Sequence, residues 1–160
     1  MRNSTSLLLT VSTLALAACN PFHRDPVTEV TRDVNLNTRW SATLVTPTSL
    51  AGAVQMKGSA TMQPGENSGI TEFALRIDNA TPGGRHPWQV HRGQCGADEG
   101  LVGAANAFGT VNIDDDGRGK ASGSIRMTTP TLGNYFVTVS ASPTNSEMVL
   151  ACGNLAPPAM

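Results

Sequence analysis

Between Thr71 and Asp78 the apolar side chains of Phe73, Leu75 and Ile77 alternate with Glu72, Arg76 and Asp78. A half-buried strand requires that period of two, because successive side chains leave a strand on opposite faces. Comparable stretches recur along the chain. Trp40–Val45 half-alternates and is stopped by Pro47, and Ala53–Met62 ends at the turn-rich run Pro64-Gly65-Glu66-Asn67. After Asn79-Ala80-Thr81-Pro82-Gly83-Gly84 comes the short run Trp88–His91. Gly109–Ile113 and Gly119–Arg126 flank Asp114-Asp115-Asp116-Gly117, and Asp-Gly between two alternating runs predicts a hairpin. Tyr135–Val139 and Met148–Ala151 complete the series. No stretch of this region long enough for an ordinary helix repeats its apolar residues with a helical period. Roughly seven or eight short strands at this spacing predict an all-β chain, an antiparallel sandwich or barrel.

The N-terminal segment reads differently. One cation, Arg2, precedes the apolar run Leu7–Leu16, and the small residues Ala17 and Ala18 stand before Cys19. That is the layout of a secretory signal peptide. The run falls short of the about 20 apolar residues that a bilayer-spanning helix needs. Leu16-Ala17-Ala18-Cys19 resembles the bacterial lipobox, a signal whose Cys is acylated on sulfur and becomes the new N-terminus. The resemblance implies a leader over 1–18, lipidation of Cys19, and a membrane partner reached through acyl chains. An ordinary leader cleaved before a free Cys is the alternative. Residues 20–37 are polar, contain Pro21 and Pro26 and show no sustained period. We therefore expect 19–37 to be the lipidated Cys and a tether, with His23 solvated, and 38–160 to be the folded domain. Asn20 rather than Asp follows Cys19, which favours the outer membrane, facing periplasm or surface, as in some Gram-negative bacteria.

Charge narrows the partners. Losing the leader removes Arg2 and no acid, so the 12 acidic residues slightly outnumber the remaining bases. No basic stripe is present to neutralise phosphates, so no nucleic-acid partner is expected. With Cys19 taken by lipid, Cys95 and Cys152 remain as an even pair in an oxidising compartment, most simply read as one disulfide. Its loop-closure entropy would contribute about 4 kcal/mol. A pair of metal thiolates is the other reading, and no nearby Cys-x-x-Cys spacing supports it.

Several segments, taken in order, resemble the copper/zinc superoxide dismutase family. Gly58–Met62 and Phe73–Ile77 come first, followed by His86-Pro87-Trp88-Gln89-Val90-His91, where the family reads H-G-F-H-V-H. Phe108–Gly117 is similar to the family's L-G-N-V-x-A-x-x-D-G hairpin, and Leu150-Ala151-Cys152-Gly153-Asn154-Leu155 to its L-A-C-G-V-I. The likeness covers roughly residues 50–156. It implies a Greek-key sandwich or flattened barrel with a Cys95–Cys152 disulfide. It also implies a copper site, and there the chain departs from the pattern. The two copper histidines of the H-V-H fall at Gln89 and His91, and Gln is a poor copper ligand. Residues 96–103, in place of the long loop carrying the bridging and zinc histidines, contain no His. The remaining zinc ligands fall at Ala104 and Ala107, the last copper His near Val139 or Ser140, and the superoxide-guiding Arg at Val149.

What can still bind is limited. His86 and His91 are an odd number of residues apart, which puts them on opposite faces of a continuous strand. A bulge at Pro87 would be needed to bring them together as a metal set with Gln89. We expect His91 to be hydrogen-bonded in the sheet and His86 to brace the loop before its strand. Met56, Met62 and Met127 could supply thioethers to Cu(I), but scattered methionines on strands usually fill cores. Asp114–Gly117 lacks the alternate acids and closing Glu of a calcium loop. Asp98 and Glu99 have no evident acid-base partner, Arg85 and Arg92 read as solvated flanking charges, and no Gly-x-Ser-x-Gly elbow marks a hydrolase. The expected function is a non-enzymatic binding or structural module on an envelope lipoprotein, with no cofactor. A divergent copper-dependent dismutase, or a copper-binding protein using His86, Gln89 and His91, is the alternative.

Overall fold

The computed structural model describes residues 38–158, so the leader, Cys19 and the tether expected over 1–37 lie outside the described residues. The described chain forms nine strands: β1 (Trp40–Val45), β2 (Lys57–Pro64), β3 (Ile70–Asp78), β4 (Arg85–Gln94), β5 (Ala97–Leu101), β6 (Thr110–Asn112), β7 (Gly119–Arg126), β8 (Tyr135–Ser142) and β9 (Asn145–Leu155). One 3₁₀ turn, Thr48–Leu50, lies between β1 and β2. The strands pair antiparallel in the order β5-β4-β8-β9-β1-β2-β3-β7, and β6 pairs with the start of β4. The sheet curls into a half-barrel. The chain is all-β and antiparallel, as its alternation predicts.

The concave face holds the core. β1 buries Trp40, Ala42 and Leu44; β3 buries Phe73, Leu75 and Ile77; β4 contributes Trp88 and Val90, and β8 contributes Val137 and Val139. Phe108, from the segment before β6, fills the centre. Its ring meets Phe73 edge-on at 5.1 Å and tilts over Trp88 at 4.9 Å. Fully burying each such side chain contributes about 1.5–3 kcal/mol. Met56 and Met62 are buried in this cluster and Met127 packs against it, so all three fill the core. The turn at Asp114–Gly117 forms, but it does not close the hairpin that its flanking runs predict, because β6 pairs with β4 and β7 with β3. The Asp114 carboxylate accepts from the N–H groups of Asp116 (3.0 Å) and Arg118 (2.8 Å).

Some boundaries differ from the sequence expectation. β2 begins at Lys57 rather than Ala53, because the chain first turns through 48–54, where the N–H groups of Ala53 and Val54 both reach Leu50 O. β5 was not expected. Ala97-Asp98-Glu99-Gly100-Leu101 contains no β-branched or aromatic residue, and all five are exposed. It forms because Gly93, at φ +96°, sits at a bulge and lets the chain fold back onto β4, pairing His91 with Leu101 and Gly93 with Asp98. A Cβ at Gly93 would run into the carbonyl oxygen of Ala97.

Two features join the halves of the sheet. β9 meets β1 through the pair Val45–Cys152 and through reciprocal hydrogen bonds between Ser41 and Ala156 (3.1 and 2.8 Å). Gly153 lies so close to β1 that any Cβ there would collide with the Thr43 carbonyl. Cys95, just beyond β4, is disulfide-bonded to Cys152 on β9, 57 positions away in sequence. The side chain of Asn154 accepts a hydrogen bond from the Cys95 N–H at 2.8 Å, holding the same corner.

Gly153→Ala is expected to cost about 1–3 kcal/mol in chemical denaturation, because the backbone of β1 has to move away. The same substitution at Gly52, which has open space around it, should cost far less. Equal losses at the two positions would show that the β1–β9 approach is not tight.

Candidate functional site

On the convex face, the register sets a row of side chains across four strands. Gln89 on β4 stands opposite Thr138 on β8, Thr138 opposite Cys152 on β9, and Cys152 opposite Val45 on β1. One pair further along, His91 faces Phe136 and stacks on it, with ring centroids 4.9 Å apart and planes at 22°. These residues, with Pro47, Ser140, Val149, Glu147, Asp98 and the Cys95–Cys152 disulfide, line a cleft of about 670 Å³. That lies within the range of small-molecule sites. The β4–β5 turn forms one wall and the β8–β9 hairpin another.

His91 is the only imidazole in the cleft lining. Its Nε2 lies 3.3 Å from the Thr138 hydroxyl. Its Nδ1 lies 3.0 Å from the Asp98 carboxylate, off the line of a ring N–H, so that contact is charge proximity rather than an aligned hydrogen bond. Asp98 is held below the ordinary carboxylate range, first by the Gly100 N–H that donates to it at 2.7 Å and further by His91. Desolvation opposes them, second in weight to the Gly100 N–H. Sequence reasoning left Asp98 without a partner. The signal that could have found one was Gly93, whose placement after His91 permits the fold-back.

Hydroxyl, imidazole and carboxylate thus stand in the order used by nucleophilic triads. The surroundings do not support that chemistry. Thr138 sits in the middle of β8, which is paired on both sides, so the neighbouring N–H groups are committed to the β4 and β9 ladders. No free pair of N–H donors stands beside Thr138 to hold an oxyanion.

The three residues considered for metal binding are not brought together. Gln89 and His91 share the convex face, where Gln89 donates weakly to Ala105 O at 3.4 Å. β4 is paired continuously from Arg85 to Arg92 with no bulge at Pro87, so His86 lies on the other face. His86 is buried, and its Nδ1 lies 3.1 and 2.9 Å from the carbonyl oxygens of Ser140 and Ala141. Two acceptors there require the proton on Nδ1. His86 therefore braces the end of β8 as well as packing on the loop before its own strand. Its Nε2 makes no hydrogen bond with the protein and packs against Gly84, where a Cβ would strike it. Among the described residues no three His, Cys, Asp or Glu side chains are grouped to hold a metal ion. The donors facing the cleft are one imidazole, an amide, hydroxyls and carboxylates. Ser140 already donates to Ser146 O at 2.8 Å. A redox copper held mainly by imidazoles does not fit that set.

No protein-family profile matches this chain, and no curated protein aligns with it significantly.

His86→Ala should cost about 2–4 kcal/mol, from lost packing of a buried ring and lost hydrogen bonding to the Ser140 and Ala141 carbonyls. His91→Ala should cost under about 2 kcal/mol, because it gives up one long hydroxyl contact and a charge contact to the exposed Asp98. Denaturant titrations compare the two, and a reversed order would contradict these assignments. A carboxylate whose pKa is depressed by folding stabilises the fold above its unfolded pKa and loses that contribution as pH falls through the folded one. Asp98→Asn should therefore lower stability slightly at pH 7, with the difference from wild type vanishing at pH well below about 3.9. A difference that persists in acid would assign the effect to something other than charge.

Proposed function

We propose that this chain is a lipid-anchored envelope protein carrying a superoxide-dismutase-like β domain. The domain works as a non-enzymatic binding module through its convex-face cleft. One observation carries the reading. Of Val139 and Ser140, near which the last copper His falls, Val139 is buried in the core, while Ser140 lines one cleft with Gln89, His91 and Val149, the other positions that the resemblance assigns to copper ligands and a superoxide-guiding Arg. They converge as a site should, yet they present an amide, one imidazole, a hydroxyl and an isopropyl group.

Other features support the likeness. The quoted segments fall on β2, β3, β4, the turn between β6 and β7, and β9. The spatial order β9-β1-β2-β3, in which a late strand returns beside β1, supports a Greek-key reading. Cys95 and Cys152 are paired as the family pattern implies. Leu16-Ala17-Ala18-Cys19 supports export, acylation of Cys19 and placement at the outer membrane.

Metal analysis of the purified protein after copper loading, alongside a superoxide assay, is expected to show no stoichiometric copper and no dismutation. Tight copper without turnover would replace this reading with a metal-binding one, and both signals together would make the protein a dismutase. Cys19→Ser is expected to move the protein from the detergent phase to the aqueous phase in detergent partitioning. No change would remove the lipid anchor from the proposal.

A further inference from the structure

The binding role proposed above leaves the ligand open, and the charges around the cleft narrow it; the inference rests on that role. We propose that the cleft takes a small organic cation with an apolar body. Val45, Pro47, Phe136, Val149 and the Cys95–Cys152 disulfide supply apolar surface for the body. The acidic residues of the lining are Asp98 and Glu147, and among the described residues neither Lys nor Arg lines it.

Asp98 stays ionised at neutral pH, because the Gly100 N–H and His91 both favour its charged form. Glu147, exposed on β9, makes no ion pair recorded among the described residues. The imidazole of His91 already lies against Asp98, 3.0 Å from its carboxylate. The cleft thus carries net negative charge over an apolar floor. An anionic ligand would meet repulsion with no guanidinium or ammonium to offset it. A neutral one would gain the floor but leave both carboxylates unused. A cation gains both, and more so where the walls reduce access of water to the charges.

The test titrates the full-length chain with three probes of similar aromatic size: phenyltrimethylammonium, benzyl alcohol and benzenesulfonate. The readout is the methyl resonances of Val45 and Val149. Phenyltrimethylammonium should shift both methyl groups and bind tightest, more weakly as salt rises. Asp98→Asn and Glu147→Gln should each weaken it about three-fold, and the double variant roughly ten-fold, as separate exposed charges do. Both side chains are solvent-facing, so unchanged far-UV circular dichroism is expected for the variants. If benzyl alcohol or benzenesulfonate binds as tightly and the variants change nothing, the preference for a cation fails while the binding role stands. If no probe moves either methyl group at millimolar concentration, the binding role fails with it.

Discussion

β9 lies against β1 because Gly153 has no side chain to hold it off, and this approach joins two halves that would otherwise be separate. On one side stand β5, β4 and β8 with β9; on the other, β1 with β2, β3 and β7. The core needs both halves, since Trp88 and Val90 come from one, Phe73 and Leu75 from the other, and Phe108 packs between Trp88 and Phe73. A sheet split at this line would expose two apolar faces and two strand edges, each a route to misassembly. The disulfide lies near the same line and limits how far the halves can separate in the unfolded chain.

The same alternation that fills the core leaves a second population of side chains outside. Gln89, Thr138, Cys152 and Val45 are neighbours only because four strands are in register, and residues far apart in sequence become one surface. That surface is the outer side of a curled sheet. It becomes a cleft because the β4–β5 fold-back and the β8–β9 hairpin rise on either side. The shape of this cleft is thus set by turns and bulges, while the strands supply its floor. Phe136 shows the consequence. It is buried, yet it belongs to the outer face, covered by His91 and not by the core.

Much of the fold was legible in the sequence. Phe73, Leu75 and Ile77 mark β3 because one face of that strand is buried and the other wet, and Asp114–Gly117 marks its turn because the Asp114 carboxylate caps two N–H groups. Cysteine parity fitted the disulfide without excluding a thiolate pair. β5 was not legible. Its residues have no preference for extended backbone, and only a glycine upstream and an available edge on β4 create it. The site was half legible for the same reason. The opposite facing of His86 and His91 follows from a period of two, whereas the meeting of His91 with Asp98 depends on that fold-back, and the acceptors of His86 depend on β8, over fifty positions away. Met56 is similar, buried although it lies outside any strand.

Trp40, the first residue of β1, is almost fully enclosed, and its indole N–H is anchored on the Pro130 carbonyl at 2.9 Å. The chain therefore enters the domain at a strand interior to the sheet, paired with both β2 and β9, not at a loose edge. Traction applied through the N-terminus would load two hydrogen-bond ladders lengthwise at once, so they would share the strain instead of opening one bond after another.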